Sequence, residues 1–288
     1  MEKRILGKTN EEISIIGLDL EKLFKNHVSQ DIKLYLEKSI INGVNFFEIS
    51  PRIELVDETL VFPLNLHRDK LFISGRVYSK NRDEILEDII YMLKIFNLQH
   101  LDLIQIVVNS DEMAQTIFAP EGALEAILQA KSQGLINYIG FSTYKEKIAL
   151  SLLESYNFDV ITFPIDWVNW YTGYGRKTVI KAKEKEAAIV SSQSLTKKVS
   201  RANTEKHISD LLYVSSDSYR EVELTIRFSL TRPITSILCS AKINLIEWLI
   251  QAADRFSPLE PEDEEKLRKS CEEIVKVFNP EKILKGDI

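Results

Sequence analysis

Cysteine is nearly missing. Two stand in 288 residues, Cys239 and Cys271, 32 positions apart. That spacing matches no metal-ligand pattern and no disulfide framework, and it fits a reducing compartment. Long apolar runs are also missing. No stretch reaches the roughly 18 residues that a membrane span needs, so none is expected. The opening "MEKRILGKTN" has no apolar segment of the kind a signal peptide carries, and a cytoplasmic location is expected. Positive charge is in deficit, with 37 Lys and Arg against 43 Asp and Glu and a net charge of -6. That balance argues against a nucleic-acid surface. The densest basic stretch, around Lys197, Lys198 and Arg201, lies among Ser, Thr and Asn and reads as a solvated loop. There is no GxGxxG and no P-loop. None of the four histidines (His27, His67, His100 and His207) sits at metal-ligand spacing from another ligand type, so no metal is expected. No Pro/Gly/Ser-rich linker divides the chain, and residues 1–288 read as one domain.

What the chain does have is a repeating alternation. Eight short apolar runs recur at 13–18, 44–49, 70–74, 101–108, 136–141, 158–163, 187–192 and 234–240. Runs that are apolar on both faces and bounded by polar residues are the mark of buried parallel strands. Helical patterns fill the spaces. Ile85, Ile89, Met92, Leu93 and Phe96 share one helix face, and Asn81 with Glu84 resembles a capping box ahead of them. Leu124, Ile127 and Leu128 fall on one face of a helix over 121–131, with Gly134 as a stop signal. Helices are also expected over 31–41, 145–154, 176–185, 243–254 and about 219–230, with a final amphipathic helix in the tail. Eight alternations predict a (β/α)8 barrel, with a doubly wound open sheet as the alternative.

In such a barrel, function sits at the C-terminal ends of the strands. The run "VNFFEI" ends in a carboxylate at Glu48, followed by a loop and an acidic helix start at Asp57 and Glu58. After the sixth strand comes the most aromatic loop of the chain, "IDWVNWYTGYG". Its Trp167 and Trp170 either contact a ligand or pack the loop. Asp166 either serves as an acid or base or caps the loop. Cys239, inside the last strand, reads as an inert core thiol.

Several of these strand ends resemble the aldo-keto reductase superfamily, in matching order over nearly the whole chain. The opening "RILGKTNEEISIIGLDL" looks like the family's N-terminal hairpin and first strand. "SIINGVNFFEIS" is similar to the segment before its catalytic Asp. "LDLIQI", "GALEAILQAKSQGLINYIGFST", "AKEKEAAIVSSQSL" and "IRFSLTRPITSILCSAK" match its later strands. The resemblance implies carbonyl reduction with a nicotinamide cofactor. A Tyr would supply the proton, a Lys paired with an Asp would tune that Tyr, and a His would orient the substrate oxygen.

Residue by residue, the resemblance places the Asp on Glu48, the Tyr on Ile53, the Lys on Arg76 and the His on Val107. All four are changed, and the two that would touch the substrate oxygen are aliphatic. Glu48 and Arg76 form either an altered catalytic pair or a structural ion pair. For NADP(H), the resemblance implies contacts from Ser142, Thr162, Ser192 and Lys242, with Ser240 in place of a phosphate-side Gly. Asp19 replaces a first-strand Gly, and its carboxylate would repel an anionic dinucleotide. The expected function is a non-catalytic or weakly active relative that binds a small-molecule ligand, a dinucleotide or a partner. The alternative is an NAD(P)(H)-dependent oxidoreductase with altered acid/base machinery, in which Glu48 or Asp166 carries the proton. Nothing in the sequence marks an oligomeric state.

Overall fold

The computed structural model describes residues 1–21, 23, 29–53, 58–192, 194–201, 211–215, 218–239 and 243–277. Eight parallel strands close into a barrel: β3 (Ile16–Asp19), β4 (Phe46–Ile49), β5 (Phe72–Val77), β6 (Leu101–Val107), β7 (Ile136–Ser142), β8 (Val160–Pro164), β9 (Ala188–Ser192) and β12 (Ser236–Cys239). β12 pairs with both β9 and β3, so the closed sheet has no edge. The open-sheet alternative is thereby set aside.

The run at 13–18 does double duty. Its first part is β2 (Glu12–Ser14), which pairs with β1 (Lys3–Ile5) as an antiparallel hairpin, and its second part is β3. Leu6 and Ile13 of the hairpin region join Phe46, Phe72, Leu103 and Val160 in one apolar cluster. The next residue along each of those strands, such as Phe47, Ile73, Ile104 and Ile161, belongs instead to the larger core shared with the helices. The period of two therefore divides each strand between the barrel interior and the surrounding helical layer. Gly17 makes this possible at one tight point, because a Cβ there would lie 2.2 Å from the Phe46 ring.

The helices are α1 (Ser29–Ile41), α2 (Glu58–Leu66), α3 (Arg82–Ile95), α4 (Asp111–Thr116), α5 (Ala123–Ser132), α6 (Glu146–Ser155), α7 (Trp167–Thr172), α8 (Arg176–Glu184), α9 (Tyr219–Leu230), α10 (Ile243–Asp254) and α11 (Pro261–Val277). The Asn81 side chain accepts from the backbone N–H groups of Asp83 and Glu84 and caps α3. The reciprocal half of the expected box is absent. The Asn81 N–H donates to Ser79 Oγ at 3.0 Å, and Glu84 is itself held by the Ser79 hydroxyl. Leu128 also departs from expectation. It is exposed, and Ala126 and Ala130 join Leu124 and Ile127 on the buried face of α5. Gly134 follows that helix with φ +74°, which suits a residue without a Cβ.

The basic stretch around Lys197, Lys198 and Arg201 is not a loop. It forms β10 (Thr196–Arg201), paired antiparallel with β11 (Leu211–Ser215) between β9 and α9. The polar β10 holds as a strand because the more apolar β11, LLYVS, satisfies its backbone groups. Asp57, His27, His207, Ser240 and Lys242 lie outside the described residues.

Candidate ligand site at the barrel mouth

Inward positions recur every second residue, and β4, β5, β6 and β8 climb from apolar to polar toward their C-terminal ends. Phe46, Phe72, Leu103 and Val160 fill the lower interior. Two residues on, Glu48, Ser74, Gln105 and Thr162 form a buried polar layer, with Glu48 at 0% and Thr162 at 3% exposure. Another step brings Ser50, Arg76 and Val107 to the mouth, and Tyr78 follows Arg76. Within this layer Glu48 is paired with Ser74, whereas between β5 and β6 the register is staggered by one step, with Ser74 opposite Leu103 and Arg76 opposite Gln105; at the mouth Val107 is opposite Ser142.

These groups are joined across the barrel. Thr162 donates to Gln105 Oε1 at 2.7 Å. Gln105 Nε2 donates to Glu48 Oε2 at 2.7 Å and to Ser74 Oγ at 3.2 Å. Gly140 leaves room for this crossing, because a Cβ there would sit 3.3 Å from Gln105 Cγ and 2.7 Å from the Val160 carbonyl. Arg76 lies with Nε 3.0 Å from Glu48 Oε1, and its Nη2 donates to Asp19 at 2.9 Å and to Glu21 at 3.4 Å. Glu21 Oε2 also accepts from the hydroxyls of Ser50 and Tyr78, each at 2.7 Å. Burial pulls the Arg76 pKa down, but the carboxylates of Glu48 and Asp19 outweigh it and hold the guanidinium charged. Burial pushes the Tyr78 pKa well above its ordinary value. Arg76 opposes that shift, and the hydrogen bond to Glu21 adds to it. The Arg52 guanidinium stacks on the Tyr78 ring at 3.4 Å.

Glu48 and Arg76 thus meet, as their strand ends suggested. Asp19 is not a bare charge against a dinucleotide, because it is ion-paired to Arg76. Ile53 is packed in the main core at 2% exposure. Val107, Ser142 and Ser192 end their strands half-buried. Asp166 is fully buried and caps α7, accepting from the N–H groups of Val168 and Asn169 and from the Asn169 amide. Burial pushes its pKa up to about 6, partly countered by those backbone bonds. Trp167 packs with Phe228, Leu259 and Cys271. Trp170 is partly buried, with Arg232 4.9 Å and Arg176 5.5 Å from its ring.

Reading the sequence for its strand ends missed Glu21, Ser50, Ser74, Tyr78 and Gln105. The signal was available. Stepping two residues from Asp19, Glu48 and Arg76 reaches Glu21, Ser50 and Tyr78. Tyr78 does bring a phenol to this cluster, from the end of β5 rather than from the loop after Glu48 where the resemblance places the Tyr on Ile53.

Two of the positions that the resemblance assigns to a nicotinamide dinucleotide, Ser142 and Ser192, stand at the mouth. The Thr162 hydroxyl points into the barrel and donates to Gln105. Lys242 is outside the described residues. Among them, no group of three or more His, Cys, Asp or Glu could hold a metal ion. No helix among them is long and apolar enough to cross a membrane.

No family model matches the chain, and no curated protein matches it in sequence. Solved structures do match. An aldo-keto reductase from Bacillus halodurans is 17% identical in its holo form, with a TM-score of 0.69 over 93% of this chain and 96% of that one. Its apo form gives a TM-score of 0.68 at 17% identity, over 93% of this chain and 95% of that one. A candidate aldo-keto reductase from Pseudomonas aeruginosa is 16% identical, with a TM-score of 0.68 over 88% of this chain and 94% of that one. The chain has the aldo-keto reductase fold. At such identities the likeness concerns the fold, and the functional reading rests on the mouth itself.

Proposed function

We propose that this chain is an aldo-keto-reductase-like barrel that binds a small molecule or a partner at its mouth and does not carry out ordinary carbonyl reduction. The observation that carries this reading is Tyr78. Its hydroxyl donates to Glu21, and its pKa is driven away from the range in which a phenol gives up a proton readily. Ile53 and Val107 supply neither a donor nor an orienting group. Arg76 is engaged by Glu48, Asp19 and Glu21, so the Glu48–Arg76 pair supports the mouth as a structural unit.

A second reading is an NAD(P)(H)-dependent oxidoreductase with altered acid/base machinery. It is favoured by a phenol, a guanidinium and carboxylates standing together at the strand ends. Here Tyr78, rather than the buried Glu48 or the helix-capping Asp166, would move the proton. NADP(H) titration of the purified protein, followed by tryptophan fluorescence with calorimetry as a check, is paired with an assay on a panel of simple aldehydes. The first reading expects no reduction above background. Reduction that disappears in Tyr78→Phe, with cofactor binding retained, would overturn it in favour of the second.

A further inference from the structure

The C-terminal helix α11 is attached to the barrel in two distinct ways. Among the described residues its apolar contacts form a cluster apart from the main core: Trp167 and Val168 of α7, Phe228 of α9, Leu259, and Cys271 of α11 itself, with Trp170, Tyr171, Leu224 and Leu267 packed against them. The rest is charge. Asp263 faces Arg227 and Arg220 of α9, each at 3.4 Å, and is braced within α11 by Lys266 at 3.1 Å. Glu264 accepts from Arg232 at 2.7 Å and from the Tyr171 hydroxyl at 3.1 Å. The segment just ahead of the helix is held differently, by bonds that do not depend on any carboxylate. Arg227 donates to the carbonyls of Ser257 at 3.1 Å and Pro258 at 2.9 Å, and the Leu259 N–H donates to Thr231 Oγ1 at 2.8 Å.

We propose that α11 is a releasable clasp. It pivots about the anchored 257–259 segment and undocks from α7 while the barrel stays folded. Its release is governed by the ion pairs of Asp263 and Glu264, and it uncovers the Trp167 side of the barrel mouth. The physical basis is the contrast between attachments. A satellite cluster and ion pairs at the rim hold the helix, with Arg220 59% and Glu264 41% exposed, whereas the strands it leaves behind are closed into a barrel and buried on both faces. Segments with few buried apolar contacts open locally at free energies below that of global unfolding. α7 leaves β8 at its C-terminal end, so whatever uncovers α7 opens the functional end of the barrel.

The two cysteines make the test internal to the full chain. Cys271 lies under the clasp, with Sγ 3.7 Å from the Val168 carbonyl, and Cys239 lies in β12 of the barrel. Both are free and buried. The intact protein is treated with an aromatic disulfide reagent, and modification at each thiol is followed by mass spectrometry. Cys271 is expected to react about tenfold or more faster than Cys239, as local opening requires. Raising sodium chloride from about 0.05 M to about 0.5 M should speed Cys271 further, through screening. Glu264→Gln and Asp263→Asn should each speed it roughly two- to fivefold, the range expected for ion pairs that keep one partner exposed, as Arg220–Asp263 and Arg232–Glu264 do. In each case Cys239 should be unchanged. Equal rates at the two thiols would overturn the proposal. So would a faster Cys271 that ignores both salt and the two variants, or variants that speed both thiols together.

Discussion

At the residue scale, the mouth is organised by one guanidinium. Arg76 reaches Glu48 with Nε and Asp19 and Glu21 with Nη2, and only 15% of its side chain is exposed. Such a group contributes less by its own attraction than by what its removal would leave behind. Arg76→Met is expected to cost about 3 kcal/mol of unfolding free energy near neutral pH, because it strips a cation from a buried carboxylate set. Urea denaturation of both proteins at pH 7 checks it, and a variant with full stability would contradict the reading of the cluster as a unit. The same scale explains why the site was only half legible. Glu48 and Arg76 stand out because charges closing apolar runs are conspicuous. Gln105 and Ser74 are ordinary polar residues inside strands, and only closure of the barrel brings them to Glu48.

At the scale of elements, α7 shows how a short helix is fixed to a strand end. Asp166 accepts two backbone N–H bonds of its first turn, while its burial disfavours the charge it carries. The folded-state pKa of about 6 lies above the ordinary aspartate value of 3.8. The native state therefore binds this proton more tightly than the unfolded chain does. The stabilisation from Asp166 is complete below the unfolded pKa and is lost as pH rises through about 6. Asp166→Asn keeps a cap acceptor and removes the titration. Its stability relative to the parent protein should therefore rise between pH 4 and pH 7.5, by an amount on the order of 3 kcal/mol for a fully buried group. Parallel thermal or urea unfolding across that range would show it, and curves that stay parallel would mean that Asp166 does not titrate there. Of the two roles open to Asp166 in the sequence, capping is the one the geometry displays.

At the scale of the whole molecule, closure is the decisive event. β12 contributes only four residues, yet it joins the first barrel strand to the seventh. A chain ended at Arg232 would leave β3 and β9 as open edges with apolar side chains exposed, so it should lose cooperative melting and aggregate. Circular dichroism and sizing of that truncation provide the check, and a soluble monomer with a sharp transition would contradict it. The solved structures that share this fold reinforce the point, since the architecture persists at 16–17% identity.

The sequence by itself determined the eight strand runs, most of the helices and the meeting of Glu48 with Arg76. These follow from local periodicity and from the rule that barrel strands end at a common face. Only the tertiary structure decided that β10 and β11 form a strand pair, because strand pairing depends on a partner found further along the chain. Only it decided that Asp19 is paired, that the Thr162 hydroxyl turns inward to Gln105, and that Tyr78 joins Glu21. Each of those contacts links residues far apart in sequence, and no local pattern fixes such a distance until the barrel closes.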